Sequence, residues 1–207
     1  LTAIRRGKTL YRFLMEERLR ARLPDLQGKV LDLASGSGSY ASLFSARADV
    51  LRTDHEVRDG IALAVDCNRP LPFPDASFDA VLLLNALYIL EDRLAFFREV
   101  WRVLKPGGTF LLMSPFIANE MPEPHDYVRL TREGLERELR ALPWQACRIE
   151  RVGERFSAAA NLLHPAWRWA WLKILVYRAA LWLDTKIPLG ARTNHPAPLG
   201  YFLDFVK

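Results

Sequence analysis

A short glycine turn is the first feature of the sequence that could hold a ligand. Gly36 and Gly38 stand two positions apart, directly after the apolar run KVLDLA and directly before the segment YASLFSAR. Glycine lacks a Cβ, so a ligand can approach the backbone of such a turn closely. The run before the turn predicts a buried strand. The segment after it predicts a helix, whose free N-terminal amides would face the ligand.

Acidic residues at the ends of the next two predicted strands add polar contacts. Asp54 ends the run ADVLRTD, where a carboxylate can accept hydrogen bonds from both hydroxyls of a ribose. Asp66 ends the run IALAVD, where it could contact the edge of a purine. The string GSGSYA also satisfies the G-x-G-x-x-A pattern of dinucleotide sites. The turn and its acids therefore indicate a nucleotide-type ligand and leave a nicotinamide or flavin dinucleotide open.

Two further motifs distinguish between these ligands. They are LPFPDASFD at residues 71–79 and RVLKPGG at residues 102–108. Together with VLDLASGSG and Asp54, in this order, they resemble the class I S-adenosylmethionine-dependent methyltransferases of the type-11 domain group. The resemblance covers residues 28–115. A dinucleotide-dependent oxidoreductase has no reason to carry the last two motifs.

The resemblance implies S-adenosylmethionine as the cofactor. Asp32 would orient the methionine ammonium, usually through water, and Asn85 would face the sulfonium. Asp54 would bind the ribose hydroxyls, while Asp66 and Cys67 would contact the adenine. The residues that the resemblance assigns to the cofactor are Asp32, Ser35, Gly36, Gly38, Asp54, Asp66, Cys67 and Asn85.

The sequence departs from the family pattern at two places. Ala34 and Ser35 stand where Gly-Cys is usual, and the second strand ends in Arg52-Thr53-Asp54 rather than Gly-x-Asp. Alanine is the smallest change from glycine and Ser35 keeps a polar atom, so we expect the cofactor to bind. We expect the arginine to be harmless.

The loop after the fifth predicted strand carries the catalytic candidates. Its segment PHDYVRLT, residues 124–131, resembles a P-x-D-Y-x-R-x-T segment in a subset of type-11 proteins. We assign catalysis to His125, a general base that Asp126 could orient, and to Tyr127. Tyr127 or Arg129 could hold the acceptor. The alternative is that Asp126 and Arg129 brace the loop and that Tyr127 packs over the cofactor.

Strands and helices alternate along the chain in the order that such a site requires. The predicted fold is a Rossmann-like, doubly wound α/β fold with a seven-stranded, mostly parallel sheet and a helical insertion between the last two strands. Further helices are predicted over residues 8–23, 92–104 and 131–142, the last with Thr131 as its N-cap. The predicted strands are residues 29–34, 48–54, 61–66, 78–87, 109–115, 146–156 and 199–206.

We expect residues 1–207 to form a single methyltransferase domain. Its expected parts are an N-terminal helix in residues 1–27, a cofactor-binding core in 28–115, a substrate-side loop and helix in 116–145, and a Trp-rich helical insertion in 160–190.

The Trp-rich segment, residues 162–183, holds four of the six tryptophans. On a helix its basic residues Arg168, Lys173 and Arg178 would lie about 140° apart, so no clean polar face results. A membrane-spanning helix would have to bury these charges and is disfavoured. The segment is first interpreted as a lid or a dimer contact, and alternatively as a helix at a lipid interface.

Composition sets wider limits. The net charge of +5 could favour an anionic acceptor, a membrane surface or nucleic acid, although an arginine-rich solvated surface explains it as well. No nucleic-acid-binding motif is present, so nucleic acid is not expected as a partner.

Cys67 and Cys147 stand too far apart for a metal site, and we expect no metal ion. No signal peptide opens the sequence, which favours the cytoplasm.

The sequence therefore predicts a methyltransferase that uses S-adenosylmethionine to methylate a small-molecule, glycan or lipid-linked acceptor, preferably on oxygen. A cytoplasmic protein is expected, with membrane-surface contact through residues 162–183 or homodimerisation as further hypotheses. Two other functions stay open. One is a catalytically inactive S-adenosylmethionine-binding partner subunit, and the other is an NAD-dependent oxidoreductase.

Overall fold

The computed structural model of the protein describes residues 8–121, 125–166 and 169–207. Pro124 of the candidate loop, and Trp167 and Arg168 of the Trp-rich segment, lie outside these residues. The described strands are β1 (Gly28–Leu33), β2 (Ala48–Asp54), β3 (Leu63–Ala64), β4 (Phe78–Leu84), β5 (Leu104–Pro115), β6 (Ala146–Val152) and β7 (Gly200–Val206). The described α-helices are α1 (Leu10–Arg22), α2 (Arg93–Val103), α3 (Arg132–Leu139), α4 (Arg155–Leu162), α5 (Ala170–Lys186) and α6 (Leu189–Asn194).

The strands form one sheet in the order β3-β2-β1-β4-β5-β7-β6. Strand β7 pairs antiparallel with β5 and β6, and the other neighbouring pairs are parallel. This arrangement confirms the predicted Rossmann-like α/β fold with a mostly parallel seven-stranded sheet. Parallel strands end at the same edge of a sheet, so the residues that follow β1, β2 and β4 meet there.

Helices cover both faces of the sheet. On one face α2 and α3 contribute Phe97, Val100 and Leu135 to a buried core. On the other face α1 and α5 contribute Leu10 and Tyr177 to a second core. Strand β4 is buried along almost its whole length, as its nearly continuous apolar sequence predicted.

The segment after the glycine turn is not the predicted helix. Residues 40–47 contain a three-residue 3-10 turn, Ala41–Leu43, and no α-helix before β2 begins. The Ser45 hydroxyl donates to the Leu26 carbonyl at 3.1 Å and accepts from the Arg47 amide at 3.3 Å. The Arg47 amide, which a helix would pair with the Leu43 carbonyl, is therefore bonded to the Ser45 hydroxyl instead. The helix prediction was wrong, and with it the idea that helix amides face the ligand.

Three predicted strands are shorter than expected. The strand predicted over residues 78–87 ends at Leu84. Within residues 61–66, the strand itself is Leu63–Ala64, and the flanking amides of Ala62 and Val65 donate to carbonyl oxygens of β2. Strand β6 ends at Val152, earlier than predicted. Gly153 there adopts a left-handed φ of 75°, and the Glu154 side chain caps the start of α4.

Helices α4, α5 and α6 form the predicted insertion between β6 and β7. The buried carboxylate of Asp184 in α5 accepts hydrogen bonds from the backbone amides of Phe156 at 2.9 Å and Ser157 at 3.2 Å. These bonds fix α5 against the first turn of α4, and Tyr177 and Ala180 are buried in α5. Among the helices that the structure describes, none is long and apolar enough to cross a membrane.

The LPFPDASFD and RVLKPGG motifs contact each other. The Arg102 guanidinium donates to the carbonyl oxygens of Leu71 at 2.9 Å and Phe73 at 2.7 Å. It also pairs with the carboxylates of Glu99 and Asp75. These contacts hold the loop before β4 against the end of α2, so the two motifs stabilise the scaffold.

Candidate active site

A cavity of about 600 Å³ opens at the edge of the sheet where β1, β2 and β4 end. A volume of this size is typical of small-molecule sites. Of the residues predicted from the sequence, the cavity is lined by Ser35, Gly36, Gly38, Asp54, Asp66, Cys67, Asn85 and His125. Asp32 and Tyr127 are not part of this lining, although each contacts a residue that is.

The glycine turn forms one part of the cavity wall. Gly36 and Gly38 have φ values of 55° and 56°, in the left-handed region that glycine adopts without strain. A Cβ on Gly36 would meet no atom within 4 Å, whereas a Cβ on Gly38 would lie 1.9 Å from Nη2 of Arg52. Gly36 therefore keeps a space open for a ligand, and Gly38 makes room for an arginine.

Arg52 braces this turn from β2. Its Nη2 donates to the Gly36 carbonyl at 3.3 Å, and its guanidinium packs where a side chain at position 38 would stand. Arg52, which stands where the family pattern has glycine, therefore supports the glycine turn. The sequence did not indicate this function.

Asp54 lies beside the turn, and protein groups contact both of its carboxylate oxygens. One oxygen accepts from the His55 amide and contacts the His55 Nδ1, both at 2.8 Å. The other accepts from the Gly36 amide at 3.1 Å and from the Arg58 guanidinium. Burial opposes ionisation, but the hydrogen bonds from His55 and Arg58 outweigh it and lower the pKa of Asp54. The carboxylate is therefore charged and anchored to the glycine turn.

Asp66 and Cys67 line the cavity after β3. Asp66 is exposed, and its Oδ1 accepts from the Asn68 amide at 2.8 Å. Cys67 is buried, and burial raises the pKa of its thiol to about 12. The thiol therefore stays protonated near neutral pH and serves as a small apolar wall rather than as a nucleophile.

A polar network joins the end of β4 to two helices. Asn85 has a φ of 64°, and its side-chain oxygen accepts a hydrogen bond from the Tyr11 hydroxyl of α1. The Tyr11 amide in turn donates to the Asn161 side chain of α4 at 3.0 Å. All three residues line the cavity. Tyr11 and Asn161 were missed from the sequence, because they stand 150 positions apart and no motif connects them.

Comparisons with known proteins address this same region. Residues 31–112 match a family model described as "Methyltransferase domain". The ubiquinone/menaquinone biosynthesis C-methyltransferase UbiE of Stenotrophomonas maltophilia is 37% identical over 99 residues, which cover 39% of each chain. The 27-O-demethylrifamycin SV methyltransferase of Amycolatopsis mediterranei is 31% identical over 116 residues, 47% of this chain and 43% of its own. The chain spans less than half the length of these two curated relatives.

The matched range contains the glycine turn, Asp54 and both scaffold motifs. A solved structure of a SAM-dependent methyltransferase from Archaeoglobus fulgidus has the same fold, with a TM-score of 0.63, 17% identity and coverage of 95% of this chain and 94% of that one. Residues 31–112 therefore match a methyltransferase domain, and the chain shares the fold of SAM-dependent methyltransferases. S-adenosylmethionine is the cofactor that this likeness implies.

Two buried polar atoms of the methyltransferase domain fit this cofactor. Within the described residues, Oδ2 of Asp32 and Oγ of Ser35 have no hydrogen-bond partner. The other Asp32 oxygen accepts from the Tyr40 hydroxyl at 3.2 Å. Burial raises the pKa of Asp32 to about 7, although the Tyr40 hydrogen bond opposes this rise. Unpaired buried acceptors are costly, and an ammonium group or a water held by it would satisfy them.

The candidate catalytic loop of the methyltransferase domain places one imidazole in the cavity wall. The His125 ring stacks on the Tyr127 ring, with centroids 5.2 Å apart, and the Tyr127 side chain is exposed. Within the described residues, the Asp126 carboxylate makes no hydrogen bond or ion pair with the His125 ring. This carboxylate instead pairs with Arg129 and accepts from the Met121 amide at 2.8 Å. This geometry favours the bracing role for Asp126 and Arg129.

His164 is a further residue of the cavity wall. Its Nδ1 lies 2.5 Å from the hydroxyl of Tyr177, which is buried in α5. Burial and the positive charge of Lys173 lower the pKa of His164, so its ring is neutral near pH 7. His55, His125 and His164 all line the cavity. Even so, no cluster of three or more metal-ligating side chains occurs among the described residues.

Proposed function

We propose that the protein transfers the methyl group of S-adenosylmethionine to an oxygen atom of a small-molecule, glycan or lipid-linked acceptor. One observation carries the proposal. A single cavity is lined both by the glycine turn with Asp54 and by the imidazoles of His125 and His164. The first set suits the cofactor and the second suits an acceptor that must lose a proton.

The cofactor-side roles follow from the contacts of each residue. Asp54 would accept from the ribose hydroxyls, which requires the half-exposed Arg58 to give up its bond to the carboxylate. Asp32 and Ser35 would satisfy their unpaired oxygens with the methionine ammonium or a water bound to it. Asn85, held by Tyr11, would face the sulfonium. When bound, S-adenosylmethionine supplies the methyl group on a sulfur that leaves readily.

The acceptor-side roles follow from the need to position a hydroxyl and remove its proton. Most of the acceleration in an in-line displacement comes from orientation, and a base is needed when the nucleophile is a weakly acidic hydroxyl. His125 would take that proton, with Tyr127 stacked on its ring. His164, held by Tyr177, would hydrogen-bond the acceptor.

The preference for oxygen rests on these imidazoles. The printed names of the relatives include a C-methyltransferase and an enzyme that acts on a 27-O-demethyl compound, so similarity alone supports either atom. A lipid-linked acceptor would lie at a membrane surface. The exposed Trp169, Trp171 and Trp182 support such a peripheral location for a cytoplasmic protein.

Calorimetry of the purified protein with S-adenosylmethionine, its demethylated product and NAD tests the cofactor. We expect the first two to bind and Asp54→Asn to weaken binding about 10- to 100-fold, because charged hydrogen bonds are lost. Asp79→Asn is the matched control. Burial raises the pKa of Asp79, but the hydrogen bonds from Lys105 and the Lys29 amide together lower it, and Asp79 does not line the cavity. Binding of NAD instead would favour an oxidoreductase.

Transfer itself is tested with methyl-labelled S-adenosylmethionine and fractions of a cell extract, followed by identification of the labelled atom by NMR. Label on oxygen supports the proposal, and label on carbon or nitrogen contradicts the oxygen preference. Tight cofactor binding without transfer to any fraction would favour an inactive partner subunit.

A further inference from the structure

One side of α5 presents large apolar side chains to solvent. Trp171, Leu175 and Trp182 are 64%, 59% and 60% exposed. At about 100° per residue, their positions fall within about 40° of one another around the helix axis. These three residues are called the α5 apolar face below. The opposite side of the helix holds Tyr177 and Ala180, which are buried in the protein.

Apolar exposure continues beyond both ends of this face. Trp169, just before α5, is exposed and stacks on Trp171 with ring centroids 6.3 Å apart. Leu189, the first residue of α6, is also exposed. A single exposed apolar residue is ordinary, but several large ones on one side of a helix about 25 Å long are typical of an interaction surface.

The exposed charges around the α5 apolar face are basic. Arg178, Lys186 and Arg192 are exposed, and Nζ of Lys186 lies 5.2 Å from the ring centroid of Trp182. The acid of α5, Asp184, is buried and accepts backbone hydrogen bonds from the start of α4. Helices α5 and α6 therefore expose positive charge without exposed negative charge.

A bilayer surface that contains anionic lipids matches this combination. Tryptophan and leucine side chains insert at the boundary between headgroups and acyl chains, while arginine and lysine reach the lipid phosphates. Neither α5 nor any other described helix can cross the bilayer, so α5 would lie in the plane of the surface.

We propose that the α5 apolar face, with Arg178 and Lys186, docks the protein on an anionic membrane surface. Docking would bring the cavity close to the lipid, because Tyr177 on the buried side of α5 contacts His164 in the cavity wall. This inference names the docking surface and the lipid charge behind the peripheral location proposed above, and it does not depend on methyl transfer.

Co-sedimentation with vesicles tests the docking surface. The vesicles contain phosphatidylcholine alone or phosphatidylcholine mixed with phosphatidylglycerol. Wild-type protein should bind the mixed vesicles, and Trp171→Ala/Leu175→Ala/Trp182→Ala should weaken binding at least about tenfold, because the inserted apolar area is removed. Val57→Ala/Leu63→Ala is the matched control, since both side chains are exposed and apolar but lie outside α5.

A charge variant keeps the inference testable if the apolar variant does not fold. Arg178→Gln/Lys186→Gln should also weaken binding about tenfold and should make it less sensitive to salt. Three results would overturn the inference. They are equal binding of wild type to both vesicle types, unchanged binding of a folded apolar variant, and a wild-type dimer in light scattering that the apolar variant converts to a monomer.

Discussion

The hydroxyl of Tyr11 donates a hydrogen bond to the side-chain oxygen of Asn85, which joins helix α1 to the end of the central strand β4. Asn85 has a left-handed φ of 64°, and its backbone amide donates to the Met113 carbonyl at 2.9 Å. Backbone and side chain are therefore both held. This contact makes Tyr11 a positioning residue for the asparagine that we assign to the sulfonium side of the cofactor.

Replacing Tyr11 by phenylalanine should lower the kcat of methyl transfer about tenfold while the affinity for S-adenosylmethionine changes less than about threefold, because orientation rather than binding area is lost. Enzyme kinetics and calorimetry measure the two effects. Tyr201→Phe is the control, since Tyr201 is a buried tyrosine that does not line the cavity. An equal fall in kcat in the control would mean that Tyr11 acts only through stability.

Gly36→Val should abolish detectable binding of S-adenosylmethionine, because the new side chain would enter cavity space that is open around Gly36. Valine also strains a left-handed backbone. Gly107→Val separates the two effects. Gly107 has a φ of 77° and equally open surroundings but does not line the cavity. Calorimetry should show lost binding for the first variant alone, with similar losses of thermal stability in both.

Asp32 should make the stability of the cofactor-free protein depend on pH. Its pKa in the folded chain is raised to about 7, whereas an unfolded aspartate titrates near pH 4. Between these values the folded chain binds the proton more strongly, so the free energy of unfolding contributed by Asp32 falls as pH rises from about 4 to about 7.

Urea unfolding of wild type and Asp32→Asn across this pH range measures the effect. The difference between the two proteins isolates Asp32, because acids with lowered pKa values, such as Asp79, shift stability in the opposite direction at lower pH. We expect the stability of wild type relative to the variant to fall with rising pH. Parallel curves for the two proteins would contradict the raised pKa.

His125→Gln should lower kcat about 100-fold or more if its imidazole removes the acceptor proton, because general-base catalysis has this size. The Tyr127 ring stacks on the His125 ring. We therefore expect Tyr127→Phe, which keeps the ring, to retain activity and Tyr127→Leu, which removes it, to lose part of the activity. A large loss in Tyr127→Phe would instead assign the work to the phenol hydroxyl.

The sequence by itself determined the scaffold and which residues meet at the edge of the sheet where the cavity opens. Apolar runs that alternate with amphipathic segments predicted the seven strands and the helical insertion between the last two. Gly36, Asp54 and Asn85 each stand at or just after the end of a parallel strand. Because parallel strands end at the same edge of the sheet, these three residues all line the cavity. These features could be predicted because each depends on a local pattern or on a motif whose members are close in sequence.

Tertiary structure alone decided how the glycine turn is braced and that His164 joins the cavity wall. Arg52 supports the glycine turn, and the Ser45 hydroxyl donates to the Leu26 carbonyl. His164 lines the cavity and contacts the Tyr177 hydroxyl. None of these pairings leaves a periodic signal. Each depends on which distant side chain fills a given space and hydrogen-bonds a given polar atom, and that choice is made only when the two faces of the sheet are packed.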